Sequence, residues 1–282
     1  MTTNDDLRPL LAGVCGAPIA QTKSPRLFRH WFTTYGIDGF YVPMLIHAGH
    51  FTDAVRTLPK VGFRGMNVTL PNKETALAIA DQITDSAKAI GAANTLTFLT
   101  DGSIHADNTD GFGFIENLKA GAPGWEPHKP AVMLGAGGAA RAGIFTLLEA
   151  GVPEVRLTNR TREKAEALAD HFGPKVTIHD WSDRAEILAE AGVIVNSTSL
   201  GMIGNPPLQI SLANADAGTV VTDMVYNPLI TPLLAEAQSM GLPIVDGLGM
   251  LLHQARPGFR RWFGREAEVN QSLRDSCLES SV

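Results

Sequence analysis

The sequence predicts an α/β protein of two domains whose sheets are mostly parallel. Three observations support this fold class. Short apolar runs of strand length alternate with longer segments in which apolar residues recur at helical spacing. At 282 residues the chain is long for one domain and sufficient for two. A glycine-rich stretch at residues 132–141 joins an apolar run directly to a helical segment, as in a strand–turn–helix unit of a parallel sheet.

The composition is that of a globular protein with a sizeable core, since 44% of the residues are hydrophobic and 18% are charged. A net charge of −6 argues against broad binding to nucleic acid or anionic membranes, although a local basic pocket stays possible. Cys15 lies in an apolar run and Cys277 in a polar tail, so neither a disulfide nor a metal site is expected. No apolar run approaches the ~20 residues of a membrane span. The polar, acidic N-terminus is unlike a signal peptide, and a cytoplasmic protein is expected.

The chain begins with a predicted buried strand at residues 10–15, followed by a helix that runs through about Tyr35. Ser24 is the predicted N-cap of this helix and Pro25 its first residue. The hydroxyls of Thr22 and Ser24 would then lie beside a helix N-terminus, where they could hold a carboxylate. Plain capping would also explain Ser24. A second strand is predicted at residues 39–45 and a helix at residues 51–58.

A polar segment follows the strand that is predicted to end near Val68. Thr69 and Lys73 come directly after it, at the carboxyl end where α/β sheets usually bind ligands, and Pro71 could start a helix that carries Lys73. A single lysine at a helix start is ordinarily solvated, so Lys73 becomes a candidate only beside other polar segments.

A hairpin is predicted from strands at residues 94–99 and 103–105, which flank the turn Asp101-Gly102. Residues 107–111 then form a dense polar segment ahead of a helix that runs through about Leu118. A helix cap would explain several of these polar residues. Three polar segments, each just past a predicted strand, nevertheless favour a functional site.

The glycine stretch at residues 132–141 is typical of dinucleotide binding. Gly135 permits a tight turn off a buried strand, Gly137 lets backbone N–H groups approach a phosphate, and Ala140 allows close packing of helix on strand. The N-terminus of the following helix offers unpaired N–H donors to an anion. An ordinary glycine-rich turn is the alternative. The context favours a Rossmann-type nucleotide domain.

The next strand, at residues 154–158, indicates which dinucleotide is bound. No acidic residue stands at its end, where NAD-type sites place a carboxylate on the ribose 2′-hydroxyl. Arg160 lies 25 residues after Gly135, and with Thr161 and Lys164 it could hold a 2′-phosphate. The sequence therefore favours NADP over NAD.

The remaining strands are predicted at residues 191–196, 218–223 and 243–245, with a helix at residues 232–240. The polar turn at residues 197–201 would lie near the nicotinamide. A final helix, opening at residues 246–255, is expected to pack back on the first domain. These predictions divide the chain into a substrate-binding and catalytic domain, residues 1–110 completed by 247–282, and an NADP-binding domain, residues 111–246. Residues 120–130 would be a surface loop.

The chain resembles the shikimate dehydrogenase family over nearly its whole length. Seven blocks occur in the order of the family, and together they are highly specific: Ser24-Pro25; Asn67-Val68-Thr69 with Pro71 and Lys73-Glu74; Ala92-Ala93-Asn94-Thr95; Asp107-Asn108-Thr109-Asp110-Gly111; the glycine stretch with Arg141; Asn159-Arg160-Thr161; and Asp246-Gly247-Leu248-Gly249-Met250 with Gln254.

The resemblance implies a reversible NADP-linked reduction of 3-dehydroshikimate to shikimate in aromatic biosynthesis. A monomer or homodimer that binds no metal is expected. It makes Lys73 and Asp110 the catalytic pair. The substrate-binding residues that it implies are Thr22, Ser24, Thr69, Asn94, Asp110, Tyr226 and Gln254. The cofactor-binding residues that it implies are Gly135, Ala136, Gly137, Gly138, Ala139, Asn159, Arg160, Thr161, Lys164, Met224 and Gly247.

Three departures from the family pattern concern the carboxylate side of the substrate. The usual His-Ser-x-Ser-Pro here begins Gln21-Thr22, Phe28 lies near the place of a family histidine, and Asn72 replaces an aromatic residue or histidine. An enzyme for quinate or an amino-substituted shikimate is therefore an alternative. A nucleotide-dependent sensor without turnover is a third possibility, which the retention of both Lys73 and Asp110 disfavours.

Overall fold

The computed structural model describes residues 9–278, which form two compact units: residues 9–109 with 254–278, and residues 110–253. The strands of the first unit are β1 (Leu10–Gly16), β2 (Gly39–Leu45), β3 (Phe63–Val68), β4 (Gln82–Ile83), β5 (Thr95–Phe98) and β6 (Ile104–Asp107). The helices within residues 9–109 of this unit are α1 (Ser24–Tyr35), α2 (Phe51–Thr57), α3 (Lys73–Ala78) and α4 (Asp85–Ile90).

The second unit combines strands and helices. Its elements are α5 (Asp110–Gly121), β7 (Ala131–Leu134), α6 (Gly138–Glu149), β8 (Val155–Thr158), α7 (Arg162–Phe172), β9 (Val176–His179), β10 (Val193–Asn196), β11 (Val220–Asp223), α8 (Pro232–Ser239) and β12 (Ile244–Val245). Helix α9 (Leu248–Phe263) begins in this unit and ends in the first, to which α10 (Gln271–Leu278) also belongs.

The sheet of the first unit has the order β2-β1-β3-β5-β6-β4. Strands β1, β2 and β3 run parallel, β4 pairs parallel with β6, and the β5–β6 hairpin makes the antiparallel contacts. The carboxyl ends of β1, β3 and β6 therefore share one edge with the beginning of β5. Thr69, Asn94 and Asn108 lie directly outside those strand ends, so the topology places the predicted polar segments along one edge of the sheet.

Successive residues of a strand point to opposite faces of the sheet, and both faces of this sheet are covered. On one face Met66 of β3 packs in an apolar cluster with Phe51 and Leu96. On the other face α1 and α9 bring aromatic rings together, with Phe28 5.7 Å from Phe259 between ring centroids. Gly65 of β3 leaves room for the Trp262 indole, which a Cβ at this position would strike. The final helix thus packs on the first unit, as expected.

The sheet of the second unit is parallel throughout, in the order β12-β11-β10-β7-β8-β9. Apolar clusters cover its two faces, one containing Met133 and the other Val132 of the same strand. The chain leaves β7 to build β8 and β9 on one side and returns to build β10 on the other. A crevice outside the strand ends at such a reversal is the usual ligand site of an open α/β sheet. The predicted fold class is confirmed.

Several predicted boundaries were wrong. Helix α5 continues to Gly121 instead of ending near Leu118, so the loop predicted at residues 120–130 is shorter. Strands β4 and β9 were not predicted, because both are short edge strands with few buried residues. Cys277, which was expected in a polar tail, lies buried on α10; both cysteines are unpaired thiols. Among residues 9–278 no helix has the length and apolar character that a membrane crossing requires.

Candidate functional site

Lys73 is the first residue of α3, five residues beyond the end of β3. The turn that carries it is held by backbone bonds, from Thr69 N to Cys15 O (2.9 Å) and from Asn72 N to Thr69 O (3.1 Å). The carbonyl of Lys73 accepts from Ala93 N at 2.9 Å, which ties α3 to the segment before β5. Thr69 and Lys73 are half-buried. The structure thus places both residues at the predicted edge of the sheet.

Asn72, one of the departures from the family pattern, is completely buried. Its Nδ2 donates to the carbonyl of Ile46 at 2.9 Å, whereas its Oδ1 has no hydrogen-bond partner. Asn72 therefore anchors the turn before Lys73 to the segment after β2, but it leaves one buried acceptor, its Oδ1, without a hydrogen bond.

Asn94 is held in one orientation at the start of β5. Its Oδ1 accepts from the backbone N–H of Thr109 at 2.8 Å and from the Thr95 hydroxyl at 2.9 Å. Its Nδ2 consequently points the other way and donates to Gln254 Oε1 at 3.1 Å. The structure thereby brings together Asn94 and Gln254, which are 160 residues apart in the chain.

The prediction that Ser24 caps α1 was wrong. The helix begins at Ser24 itself, its N-cap is Lys23, and no side chain caps it by a hydrogen bond. Ser24 is 5% exposed, and its backbone N–H contacts the Thr22 hydroxyl at 3.4 Å. Thr22 and Ser24 therefore lie together at the start of α1, as predicted, and Ser24 is buried there.

Tyr41 and Asn67 form a buried pair, and neither residue was predicted to belong to the site. The Tyr41 hydroxyl donates to Asn67 Oδ1 at 2.6 Å. Burial raises the pKa of Tyr41 well above its ordinary value, so the phenol stays a neutral donor. A tyrosine within an apolar strand was the available signal, because a buried phenol ordinarily has a hydrogen-bond partner.

In the second unit, the glycine turn after β7 has the shape of a phosphate cradle. Gly135 has φ +108°, and a Cβ there would lie 2.7 Å from Ser197 Oγ. Gly137 is the N-cap of α6, with φ −92° and ψ −172°, and a Cβ there would meet no atom within 4 Å. Gly138 is also exposed and equally open. The N–H groups at the start of α6 are thus accessible to an anion.

These two glycines allow a matched prediction. We expect Gly135→Ala to lower the free energy of unfolding by about 1–3 kcal/mol, because alanine strains the positive φ and strikes Ser197. Gly137→Ala should change that energy by less than about 0.5 kcal/mol, since the backbone there suits any residue. It should nevertheless weaken dinucleotide binding at least about tenfold, because the methyl group occupies the cradle. Denaturant unfolding and cofactor titration measure both effects; unaltered affinity in Gly137→Ala would contradict the cradle.

Asn159 connects the glycine turn to the end of β8. Its Oδ1 accepts from Ala136 N at 3.2 Å, and its Nδ2 donates to the carbonyl of Thr161 at 2.8 Å. The side chains predicted to meet a 2′-phosphate, those of Arg160, Thr161 and Lys164, are all exposed here. Arg162, between them in sequence, has a different role, since its guanidinium binds Glu166 at 2.9 Å and also Asp180.

Arg160 lines a cavity of about 480 Å³ at the carboxyl ends of β8 and β10. Trp181 and Arg184 form its far wall, where the Arg184 guanidinium lies 5.1 Å from the Trp181 ring centroid. Arg184 also donates to the carbonyls of Trp181 and Gln209, at 2.6 and 2.8 Å. The cavity thus combines a flat wall, an exposed cation and polar groups, which suits a nucleoside phosphate.

The ends of β10 and β11 are braced by a buried acid. Asp223 accepts from Asn196 Nδ2 (3.0 Å), from Val225 N (2.9 Å) and from the Thr231 hydroxyl (2.7 Å). Burial raises the pKa of Asp223, and these three donors oppose the shift. The brace positions the chain that continues to Met224 and Tyr226, both half-buried.

Gly247 completes the predicted cofactor set at the entrance to α9. A Cβ at this position would lie 2.5 Å from the Val225 carbonyl and 2.7 Å from that of Met224. The structure therefore brings Gly247 against Met224. Asp110, Met224 and Tyr226 belong to the second unit, whereas Lys73, Asn94 and Gln254 belong to the first. Residues 9–278 contain no cluster of side chains that could hold a metal ion.

Three family profiles match consecutive parts of the chain. They are described as the shikimate dehydrogenase substrate binding domain (residues 14–96), shikimate / quinate 5-dehydrogenase (residues 125–248) and the shikimate 5′-dehydrogenase C-terminal domain (residues 247–271). A protein of Roseobacter denitrificans named shikimate dehydrogenase (NADP(+)) is 60% identical over 269 residues, which cover 95% of this chain and 97% of that protein.

Two solved structures are similar over nearly the whole chain. One is shikimate 5-dehydrogenase from Thermus thermophilus in complex with NADP(H) and shikimate, with 35% identity, a TM-score of 0.85, and coverage of 95% of this chain and 98% of that one. The other is quinate dehydrogenase from Corynebacterium glutamicum in complex with NAD, with 27% identity, a TM-score of 0.88, and coverage of 96% and 99%. Profiles and full-length relatives agree, and the chain belongs to the shikimate dehydrogenase family.

Proposed function

We propose that this protein catalyses the reversible NADP-dependent reduction of 3-dehydroshikimate to shikimate, a step of aromatic biosynthesis. The observation that carries the proposal is the 60% identity, over 95% of the chain, to a relative named shikimate dehydrogenase (NADP(+)). The retention of Lys73, Asn94, Asp110 and Gln254 agrees with it.

In this proposal the substrate is a ring acid, a ring that carries a carboxylate and hydroxyls, and one group of side chains binds each of these two features. Thr22, Ser24 and Thr69 hold its carboxylate, and hydroxyls suit that task because they donate without adding charge. Asn94, Asp110 and Gln254 hold the ring hydroxyls, and Tyr226 lies nearby. The hydrogen bond between Asn94 Nδ2 and Gln254 Oε1 supports this assignment, because two adjacent side-chain amides can bind neighbouring hydroxyls of the ring.

Lys73 moves the proton in the proposed reaction. Hydride supplied by NADPH turns a ketone into an alkoxide, which must gain a proton to become the alcohol. An ammonium group beside that oxygen stabilises the developing charge and supplies the proton, and in the reverse direction the amine accepts it. Asp110 is assigned to orient Lys73 and to favour its charged form.

The residues of the glycine turn fit a dinucleotide. The open cradle at Gly137 and Gly138 and the α6 N-terminus would hold its pyrophosphate, together with Gly135, Ala136 and Ala139. Asn159, Arg160, Thr161 and Lys164 would hold the adenosine 2′-phosphate. Met224 and Gly247 would lie near the nicotinamide.

A second candidate is an enzyme for quinate or an amino-substituted shikimate. Thr22, Phe28 and Asn72, which depart from the family pattern, favour it because they cluster on the side assigned to the substrate carboxylate. The similarity to a quinate dehydrogenase structure keeps this candidate open.

A substrate panel separates the candidates. We expect kcat/KM with NADP to be higher for shikimate than for quinate or aminoshikimate, measured from the initial rate of NADPH formation. A higher value for another ring would establish the second candidate, and dinucleotide binding without turnover of any ring would favour a sensor.

We also propose that residues 1–110 with 247–282 form the substrate-binding and catalytic domain and residues 111–246 the NADP-binding domain. The family profile for substrate binding, which matches residues 14–96, supports the first assignment. A cytoplasmic monomer or homodimer that binds small molecules, and neither nucleic acid nor membrane, accords with the composition.

A further inference from the structure

The cavity beside Arg160 is lined by two positive charges and by no negative one. Among the described residues that form its wall, Arg160 and Arg184 are the charged ones, and the others are polar or apolar. The chain as a whole carries a net charge of −6, so the cavity is opposite in sign to the molecule that contains it. A cavity of about 480 Å³ with this charge suits a small anionic ligand.

The guanidinium of Arg184 is fixed in the wall of this cavity. Its Nε donates to the carbonyl of Gln209 at 2.8 Å and its Nη1 to that of Trp181 at 2.6 Å, while its Cζ lies 5.1 Å from the centroid of the Trp181 ring. In the part of the chain that the structure describes, Nη2 donates to no protein acceptor. Because a guanidinium has five N–H donors in one plane, Arg184 keeps donors for a ligand after its position has been fixed.

Arg184 differs from two other arginines of the second unit, because no carboxylate of residues 9–278 pairs with it. Arg156 is bound by Glu154 at 3.1 Å, and Arg162 by Glu166 at 2.9 Å. The partners of Arg184 are neutral carbonyl oxygens, which do not balance its charge. Since Arg184 is half-buried, its charge is less screened by water than that of an exposed arginine, and it attracts an anion in the cavity more strongly.

Arg160 and Arg184 reach the cavity from different segments of the chain. Arg160 follows β8, whereas Arg184 lies between β9 and β10. The proposed function assigns Arg160 to the adenosine 2′-phosphate, and a phosphate monoester carries about 1.5–2 negative charges at pH 7. Its oxygens can accept from two guanidinium groups at once. An adenine ring is neutral, so a pair of cations favours the phosphate as the group bound between them.

We propose that Arg184 is a second cation for the adenosine 2′-phosphate, and that it thereby contributes to the preference for NADP over NAD. The inference rests on the proposed function, because it takes the role of Arg160 from it. It adds a residue from a segment of the chain in which no cofactor-binding residue was predicted. Arg184 selects the cofactor and takes no part in the proton transfer.

Arg184→Gln tests the inference, because glutamine keeps a polar side chain and removes the charge. We expect the dissociation constant of NADP to rise about tenfold and that of NAD to rise less than about threefold, measured by calorimetric titration without a ring acid. Arg184→Lys, which retains a positive charge, is a second variant and should lose clearly less NADP affinity than Arg184→Gln. Circular dichroism shows whether each variant is folded.

A second pair of ligands separates the phosphate from the rest of the dinucleotide. Adenosine 2′,5′-bisphosphate and AMP differ by the 2′-phosphate alone, and neither carries a nicotinamide. In Arg184→Gln the bisphosphate should lose affinity about tenfold, and AMP less than about threefold.

Lys175→Gln is the matched control. Lys175 is exposed and directly precedes β9, so it lies at the amino edge of the parallel sheet, opposite the cavity. Its replacement changes the net charge of the protein as much as Arg184→Gln does. The affinities for all four ligands should change less than about threefold, because a distant exposed charge is screened by salt.

A selective loss of the two 2′-phosphorylated ligands in Arg184→Gln, absent from Lys175→Gln and smaller in Arg184→Lys, supports the inference. Unchanged affinities, equal losses of NADP and NAD in a folded Arg184→Gln, an equal loss in Lys175→Gln, or an equal loss in Arg184→Lys would overturn it. The proposed function stands in each of those cases. Binding of NAD by the wild-type protein as tightly as NADP would overturn the proposed cofactor dependence, and this inference with it.

Discussion

Replacement of Lys73 by alanine is expected to reduce turnover by about 10²–10⁴-fold, the usual contribution of a positioned proton donor. The substrate KM should change much less, because the lost interaction develops only as the ketone becomes an alkoxide. Lys73→Arg should be nearly as impaired, since arginine keeps the charge but holds its proton too tightly to transfer it. Steady-state rates in both directions measure the effect.

Lys88→Ala provides the control for this experiment. Lys88 lies exposed near the end of α4 in the same unit, so its removal alters net charge equally without touching the polar edge of the sheet. Its rates should match those of the wild-type protein. A Lys73→Ala variant with near-normal turnover would exclude Lys73 from the chemistry.

The second large effect is expected on cofactor selection. Arg160→Ala should weaken NADP binding by about 10–100-fold, as expected for the loss of charge-assisted hydrogen bonds to a phosphate. NAD, which lacks the 2′-phosphate, should lose less than about threefold. The ratio of the two dissociation constants, measured by titration, isolates the contribution of the 2′-phosphate.

Arg162→Ala is the matched control, because this guanidinium is two residues away and is bound by Glu166 and Asp180. It should alter neither affinity by more than about threefold. Equal losses of NADP and NAD in Arg160→Ala would contradict the assignment of Arg160 to the 2′-phosphate.

The parts of the site that could be predicted from the sequence are those set by local order. A strand, a glycine turn and a helix follow one another within residues 131–149, so the conformations of Gly135 and Gly137 depend on their immediate neighbours. The positions of Thr69 and Lys73 just beyond β3 follow for the same reason.

The coupling of Tyr41 to Asn67 could not be predicted, because it depends on the strand order β2-β1-β3 and on the register that sets Val14 beside Asn67. The error at Ser24 has a related cause. The helix begins one residue earlier than predicted, so Ser24 is its first residue and does not cap it. Local propensity leaves such boundaries open, and packing decides them.

Identification of the reduction product tests the proposed activity most directly. Incubation of the wild-type protein with NADPH and 3-dehydroshikimate should oxidise the cofactor and yield shikimate in equal amount, as measured by absorbance and chromatography. We expect the reaction to prefer NADPH strongly to NADH. Failure to form shikimate, or equal rates with NADH, would contradict the proposed activity.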